Sequence, residues 1–158
     1  MSGQPASGGQ PAASRISAAD VATLQAVLGA EQAACYGYGV VGSHLSGAAA
    51  AAATTDWIAH QQARDNLAAI ITSAGATPVP AAVAYQLPVT VQTAAQAKSL
   101  AVILEDDIAM VYMRLVAVSN TGLRALGSSG VTAAALRAAA WRGSTVAFPG
   151  LPAGSLRG

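Results

Sequence analysis

The chain has 158 residues, enough for one domain with its own core, and its single cysteine excludes an internal disulfide. Only 9% of its residues are Asp, Glu, Lys or Arg, against roughly 25% in ordinary soluble domains; apolar residues reach 53%, and alanine supplies most of that excess. A formal net charge of +1 excludes a general electrostatic attraction to nucleic acid or to anionic membranes.

Residues 1–16 are rich in Gly, Pro, Ser and Gln and are predicted to form a flexible tail. The first fourteen residues, MSGQPASGGQPAAS, contain neither the charged start nor the apolar stretch of a signal peptide, so we expect a cytoplasmic protein. Ser17 opens the first helix, because an acidic residue three positions later completes a capping-box pattern. Apolar residues recur at spacings of three and four from Leu24 to Val41, and this helix is expected to end near Leu45.

Three glycines, Gly37, Gly39 and Gly42, lie inside this first helix. Each costs about 1 kcal/mol relative to alanine in a helix interior. We therefore expect a neighbouring helix to approach closely at these positions.

A second helix is predicted from about Ala48 to Ser73, and its inner face carries Trp57, His60 and Leu67. The connection between the first two helices is very short, so they are expected to lie antiparallel. A long irregular segment, TPVPAAVAYQLP, follows, and its three prolines make it unsuitable for a helix.

Thr93 is expected to cap a third helix that continues to about Ser119. A shorter fourth helix is predicted over about Val131–Arg142, because several glycines precede it. Two helices, a long crossover and two further helices predict an all-α, ferritin-like four-helix bundle. We assign residues 17–151 to this bundle and residues 152–158 to a C-terminal tail.

Three of the predicted helices each direct one ionisable side chain towards the core. Glu31 lies three residues after a core leucine, His60 lies on the inner face of the second helix, and Glu105 lies in a helix that is apolar almost all round. Tyr38 follows Glu31 by seven residues, which places it two turns along the same face. Because buried charges require partners, these residues predict one buried polar layer.

The Glu31-to-Tyr38 spacing matches the Glu-x6-Tyr pattern of the first helix in ferritin-like proteins. The stretches EQAACYGYGVVGSHL, HQQARDNL, PVPAAVAYQLP, LAVILEDD and WRG…TVAFPGLP resemble those of an actinobacterial ferritin-like family of unknown function. The resemblance covers roughly residues 20–151 and implies the ferritin-like fold without an established activity.

Compared with the di-iron pattern of such bundles, the metal ligands are incomplete. That pattern uses one Glu from each of two helices and a Glu-x-x-His from each of the other two. Glu31, Glu105 and His60 match three of the six positions, but Trp57 stands where a glutamate is expected. The fourth helix contains no Asp, Glu or His. A complete dinuclear site is therefore not expected.

Two interpretations of the layer remain open. Glu31, His60 and Glu105, with Asp56 as a tentative further ligand, form a donor set suited to a single Fe, Mn or Zn ion. Alternatively, an arginine supplies the positive charge: residues 1–107 contain all seven acids and three bases, whereas residues 108–158 contain five arginines and no acid. In this second interpretation the layer is a salt-bridged polar core consisting of Glu31, Tyr38, His60, Arg64, Glu105 and Arg137.

Three functions follow from these interpretations, and catalytic activity is left open by all of them. The favoured one is a structural or interaction protein, expected to be a homodimer because the surface carries so little charge. The alternatives are a mononuclear metal protein with redox activity and a carrier for an unidentified small molecule. Neither a nucleic acid nor a membrane is an expected partner.

Overall fold

A computed structural model describes residues 15–146, which form four α-helices and contain no strand. The helices are α1 (Ala18–Ser43), α2 (Gly47–Ser73), α3 (Ala94–Val116) and α4 (Thr121–Arg142). The predicted all-α four-helix bundle is confirmed. None of these four helices combines the length and the apolar composition needed to cross a bilayer.

The two predicted tails lie almost entirely outside the described residues. Residues 152–158 lie wholly outside them, and only the last two residues of the predicted tail 1–16 lie within them. Ile16 packs against the core, so this last residue of the predicted tail belongs to the packed bundle.

Three helices begin at a capping side chain, as their sequences favour. Ser17 Oγ accepts a hydrogen bond from the Asp20 backbone at 3.1 Å, and the Asp20 carboxylate accepts one from the Ser17 backbone at 3.0 Å. Thr93 and Asn120 each accept a bond from the backbone N–H three residues later, at 3.2 and 3.0 Å. These caps fix where α1, α3 and α4 start.

The helices are arranged as two hairpins joined by a long connection. α1 packs against α2 and α3, and α3 packs against α4. Residues 74–93 cross between the hairpins without forming a helix. One long crossover between two helical hairpins is the connectivity of ferritin-like bundles.

The crossover is held against α1 by two glutamine side chains. Gln25 donates to the carbonyl oxygen of Thr77 at 2.7 Å and accepts from the backbone N–H of Val79 at 2.7 Å. Gln32, two turns further along α1, donates to the carbonyl oxygen of Val79 at 2.9 Å. Because their backbone groups are paired in this way, residues 77–79 need no secondary structure of their own.

Two apolar clusters form the core and leave a polar layer between them. One contains Leu24, Leu28 and Ile108, and the other contains Val41 and Leu100. The positions between these clusters along α1, α2 and α3 carry the buried ionisable residues Glu31, His60 and Glu105. The layer is therefore sealed from both ends of the bundle by aliphatic side chains.

The prediction of a short fourth helix is wrong, because α4 begins at Thr121 rather than near Val131. Its glycines were expected to prevent a helix, but two of them lie at the contact with α3. A Cβ atom on Gly127 would lie 2.7 Å from the backbone nitrogen of Val116, and one on Gly130 would overlap the ring of Tyr112. Close packing with α3 therefore outweighs the poor helix propensity of glycine.

We expect Gly127→Ala to lower the free energy of unfolding by about 2 kcal/mol, because the new methyl group meets the α3 backbone, which cannot rotate away. The matched change Gly39→Ala, in an open part of α1, should instead raise stability by about 0.5–1 kcal/mol. Urea unfolding of both variants tests this contrast. Equal stability of the two variants would contradict the close approach of α3 and α4.

The expectation of close packing at the α1 glycines holds at one position of three. A Cβ on Gly37 would lie 2.6 Å from a methyl group of Leu104 on α3. Gly39 and Gly42 have no neighbour within 4 Å of such a Cβ among residues 15–146. The prediction for these two glycines is therefore wrong within the described chain.

Candidate functional site

The centre of the polar layer is a histidine between two glutamates. His60 Nδ1 lies 2.7 Å from Glu31 Oε2, and His60 Nε2 lies 3.0 Å from Glu105 Oε1. All three side chains are at most 1% exposed. α1, α2 and α3 thus each contribute one member of a continuous hydrogen-bonded triad.

This geometry favours the doubly protonated imidazolium, because both ring nitrogens face carboxylate oxygens. Burial alone would lower the pKa of His60, but the hydrogen bonds with Glu105 and Glu31 outweigh it and raise the pKa to about 9. For Glu105, burial opposes ionisation, but hydrogen bonds from His60 and Arg137 hold the pKa of this carboxyl below its ordinary value. The triad is therefore a buried ion pair at neutral pH.

Two tyrosines link α1 and α3 through hydrogen bonds to the glutamates of the layer. Tyr38 on α1 donates to Glu105 Oε1 at 2.6 Å, and Tyr112 on α3 donates to Glu31 Oε1 at 2.8 Å. Each tyrosine follows the glutamate of its own helix by seven residues and binds the glutamate of the other helix. The pKa of both phenols is raised, mainly by burial and next by the charge of the adjacent carboxylate. Both phenols therefore keep their protons and act as hydrogen-bond donors. We call these two contacts the crossed tyrosine pairs.

Arg137 on α4 supplies the second cation of the layer. Its Nε donates to Glu105 Oε1 at 2.8 Å, and its side chain is 20% exposed. Glu105 Oε1 thus accepts bonds from His60, Tyr38 and Arg137, while Glu105 Oε2 is buried without a hydrogen-bond partner in the described part of the chain. Two carboxylates, Glu31 and Glu105, face two cations, so the inner layer is close to neutral.

Other residues that the sequence suggested for this layer lie elsewhere. Arg64 does not belong to the polar core: it is one-third exposed and pairs with Asp65 at 2.8 Å, because its helical position faces outwards. Trp57 is 38% exposed and donates to the Cys35 carbonyl oxygen at 3.0 Å, on the outer side of α1 and α2. Position 57 therefore does not face the layer at all.

Asp56 lies at the edge of the layer rather than in its centre. Its Oδ2 accepts a bond from Trp141 Nε1 at 2.8 Å and one from Tyr38 at 3.4 Å. It contacts neither Glu31 nor His60 through a hydrogen bond. Burial raises the pKa of Asp56, although the Trp141 bond opposes this rise.

The donor atoms of the layer do not fit a metal centre of the ferritin-like kind. Both nitrogens of His60 and both oxygens of Glu31 are already hydrogen-bonded within the layer, and Arg137 occupies the side of Glu105 that faces α4. Glu105 Oε2 is the one oxygen of the triad without a bond, and a single oxygen does not form a metal site. Among residues 15–146, no group of three His, Cys, Asp or Glu side chains is arranged to hold a metal ion.

Two residues of this network were missed from the sequence, Tyr112 and Trp141. Tyr112 could have been found, because it repeats after Glu105 the seven-residue spacing that Tyr38 has after Glu31. Trp141 lies one turn after Arg137 on the same face of α4, but nothing in the sequence pairs it with Asp56.

Comparisons with known proteins identify a family without an assigned activity. A family model described as "Domain of unknown function (DUF4439)" matches residues 23–153. The crystal structure of a conserved hypothetical protein, rv2844, from Mycobacterium tuberculosis is similar at 32% identity and a TM-score of 0.76. This similarity covers 78% of the present chain and 95% of the mycobacterial one. No protein of curated function matches the chain.

Proposed function

The chain belongs to the DUF4439 family, and we propose that it is a structural or interaction protein whose buried layer is a self-contained ion-pair network. The observation that carries this proposal is the position of His60 between Glu31 and Glu105, with both ring nitrogens hydrogen-bonded. In a ferritin-like site, metal ions provide the positive charge between carboxylates. Here the imidazolium of His60 and the guanidinium of Arg137 provide it.

The surface supports contact with another protein molecule. Met110, Met113 and Val116 on α3 are 40–49% exposed. They recur every three residues along α3, and exposed apolar side chains grouped in this way are typical of surfaces that another protein covers. A second copy of this chain is the partner we propose, which retains the predicted homodimer.

Metal analysis of the protein purified without a metal-affinity tag tests this function. We expect far less than one Fe, Mn or Zn ion per chain, and no rise in the melting temperature when Fe(II) is added without oxygen, because the ligand atoms are already hydrogen-bonded. The mass of the same preparation in solution should equal two chains.

A mononuclear metal protein is the alternative that this experiment distinguishes. One metal ion per chain that is lost in a His60→Ala variant, but retained in the matched His44→Ala variant, would overturn the ion-pair interpretation. A mass of one chain at all concentrations would overturn the homodimer.

A further inference from the structure

A groove lies between α2 and α4, beside the polar layer. It has a volume of about 410 Å³. Asp56 and Arg137 line it together with Trp141, so its lining contains both a carboxylate and a guanidinium. Its remaining lining residues are small or aliphatic: Ala52, Thr55, Leu136 and Ala140.

The charged groups of this groove are fixed before any ligand arrives. Trp141 Nε1 holds Asp56 Oδ2 at 2.8 Å, and Glu105 holds Arg137 Nε at 2.8 Å. Arg137 has five N–H donors, and the bond to Glu105 uses the one on Nε. Within residues 15–146, neither its two Nη atoms nor Asp56 Oδ1 makes a further hydrogen bond. The Nη atoms of Arg137 can therefore donate hydrogen bonds to a ligand and Asp56 Oδ1 can accept one, while the bonds to Glu105 and Trp141 hold both side chains in place.

The charge of the surroundings limits which ligands suit the groove. Three carboxylates, Glu31, Glu105 and Asp56, stand against two cations, His60 and Arg137, so one negative charge is in excess. That excess lies on Asp56, because Glu31 and Glu105 are paired inside the layer. An inorganic anion would be repelled by Asp56, and a purely apolar molecule would remove both charged groups from water without replacing their hydrogen bonds.

We propose that this groove binds a free α-amino acid with an aliphatic side chain. Its ammonium group is recognised by Asp56 Oδ1, beside the indole of Trp141, and its carboxylate by the Nη atoms of Arg137. Leu136 and the two alanines accommodate the side chain. This inference goes beyond the proposed function, because it assigns a ligand to a groove beside the ion-pair network, where the Nη atoms of Arg137 that do not bond to Glu105 remain available.

The two tryptophans provide a built-in test by NMR. Titration of the full chain with L-leucine should shift the indole N–H signal of Trp141 saturably, with a Kd below ~1 mM, and leave the signal of Trp57 unchanged. Trp57 is the internal control, because it lies on the outer side of α1 and α2. Isoamylamine, which lacks the carboxylate, and 4-methylpentanoate, which lacks the amine, should each bind at least about 10-fold more weakly.

Two variants separate recognition from folding. Asp56→Asn keeps an oxygen for Trp141 but removes the charge, and Ala140→Leu fills the groove without touching the network; each should weaken L-leucine binding at least about 10-fold. The exposed Asp107→Asn serves as the matched charge control and should bind normally.

The absence of a saturable Trp141 shift, equal shifts from L-leucine and 4-methylpentanoate, or unchanged binding by Asp56→Asn would each overturn the amino-acid site. None of these results depends on the metal content or on the mass in solution, so failure of this proposal is distinguishable from failure of the proposed function.

Discussion

Replacing Glu105 by glutamine should lower the free energy of unfolding by about 3–5 kcal/mol. The amide preserves the shape of the side chain but removes the charge that His60 and Arg137 share at 3.0 and 2.8 Å. Arg137 cannot release its proton, so this partly buried cation loses its main counter-charge. A domain of this size is stable by only about 5–15 kcal/mol, so the loss should be evident in urea unfolding.

The matched control is Asp107→Asn, two residues along the same helix. Asp107 is exposed and pairs with no cation within the described residues, so this change should alter stability by less than about 0.5 kcal/mol. A loss in the Glu105 variant no greater than that of its control would mean that the layer contributes little to stability. The ion-pair interpretation would then fail.

Stability should fall by about 3 kcal/mol between pH 6 and pH 10, because His60 loses its proton in this range. Its pKa in the folded protein, about 9, exceeds the ordinary value of 6.5. A raised pKa means that the folded state holds the proton more tightly than the unfolded chain does. The stabilisation is therefore complete below pH 6.5 and is lost as the pH rises through about 9.

The carboxyl group of Glu105 makes stability change with pH in the opposite direction. Its pKa is lowered by folding, so its contribution is complete above its ordinary value of 4.5 and is lost on acidification. Greatest stability is thus expected between about pH 4.5 and 6.5. Chemical unfolding at a series of pH values tests this window, with His60→Gln and His44→Gln as a pair. A His60→Gln variant that keeps the alkaline loss, or a His44→Gln variant that abolishes it, would contradict the assignment.

Much of the framework could be predicted from the sequence, because apolar periodicity and capping residues are local signals. The starts of α1 and α3 follow from Ser17 and Thr93, and the short link between α1 and α2 predicts a hairpin. Asn120 is a local capping signal for the start of α4, but the glycines that follow it favour a later start, near Val131. Glycine disfavours a helix locally, and only the contact of Gly127 and Gly130 with α3 reverses that preference.

The inward direction of Glu31, His60 and Glu105 could likewise be predicted, since each lies on an apolar stripe. The residues that pair with these three side chains could not be predicted. Arg64 and Arg137 carry the same charge, and only the packing of α4 beside α3 brings the second one to Glu105. The same limitation applies to Trp141, whose bond joins the two hairpins although its partner, Asp56, lies 85 residues earlier in the sequence.

The crossed tyrosine pairs have a consequence for how the chain selects one alignment of its helices. Alanine-rich helices have shallow, repetitive surfaces, so sliding α1 along α3 by one turn, about 5.4 Å, would bury a similar apolar area. Such a slip would separate Tyr38 from Glu105 and Tyr112 from Glu31 at once and leave four polar groups unpaired in the core. The crossed tyrosine pairs therefore destabilise such a shifted alignment. They give a core of small, similar side chains one preferred register of α1 against α3.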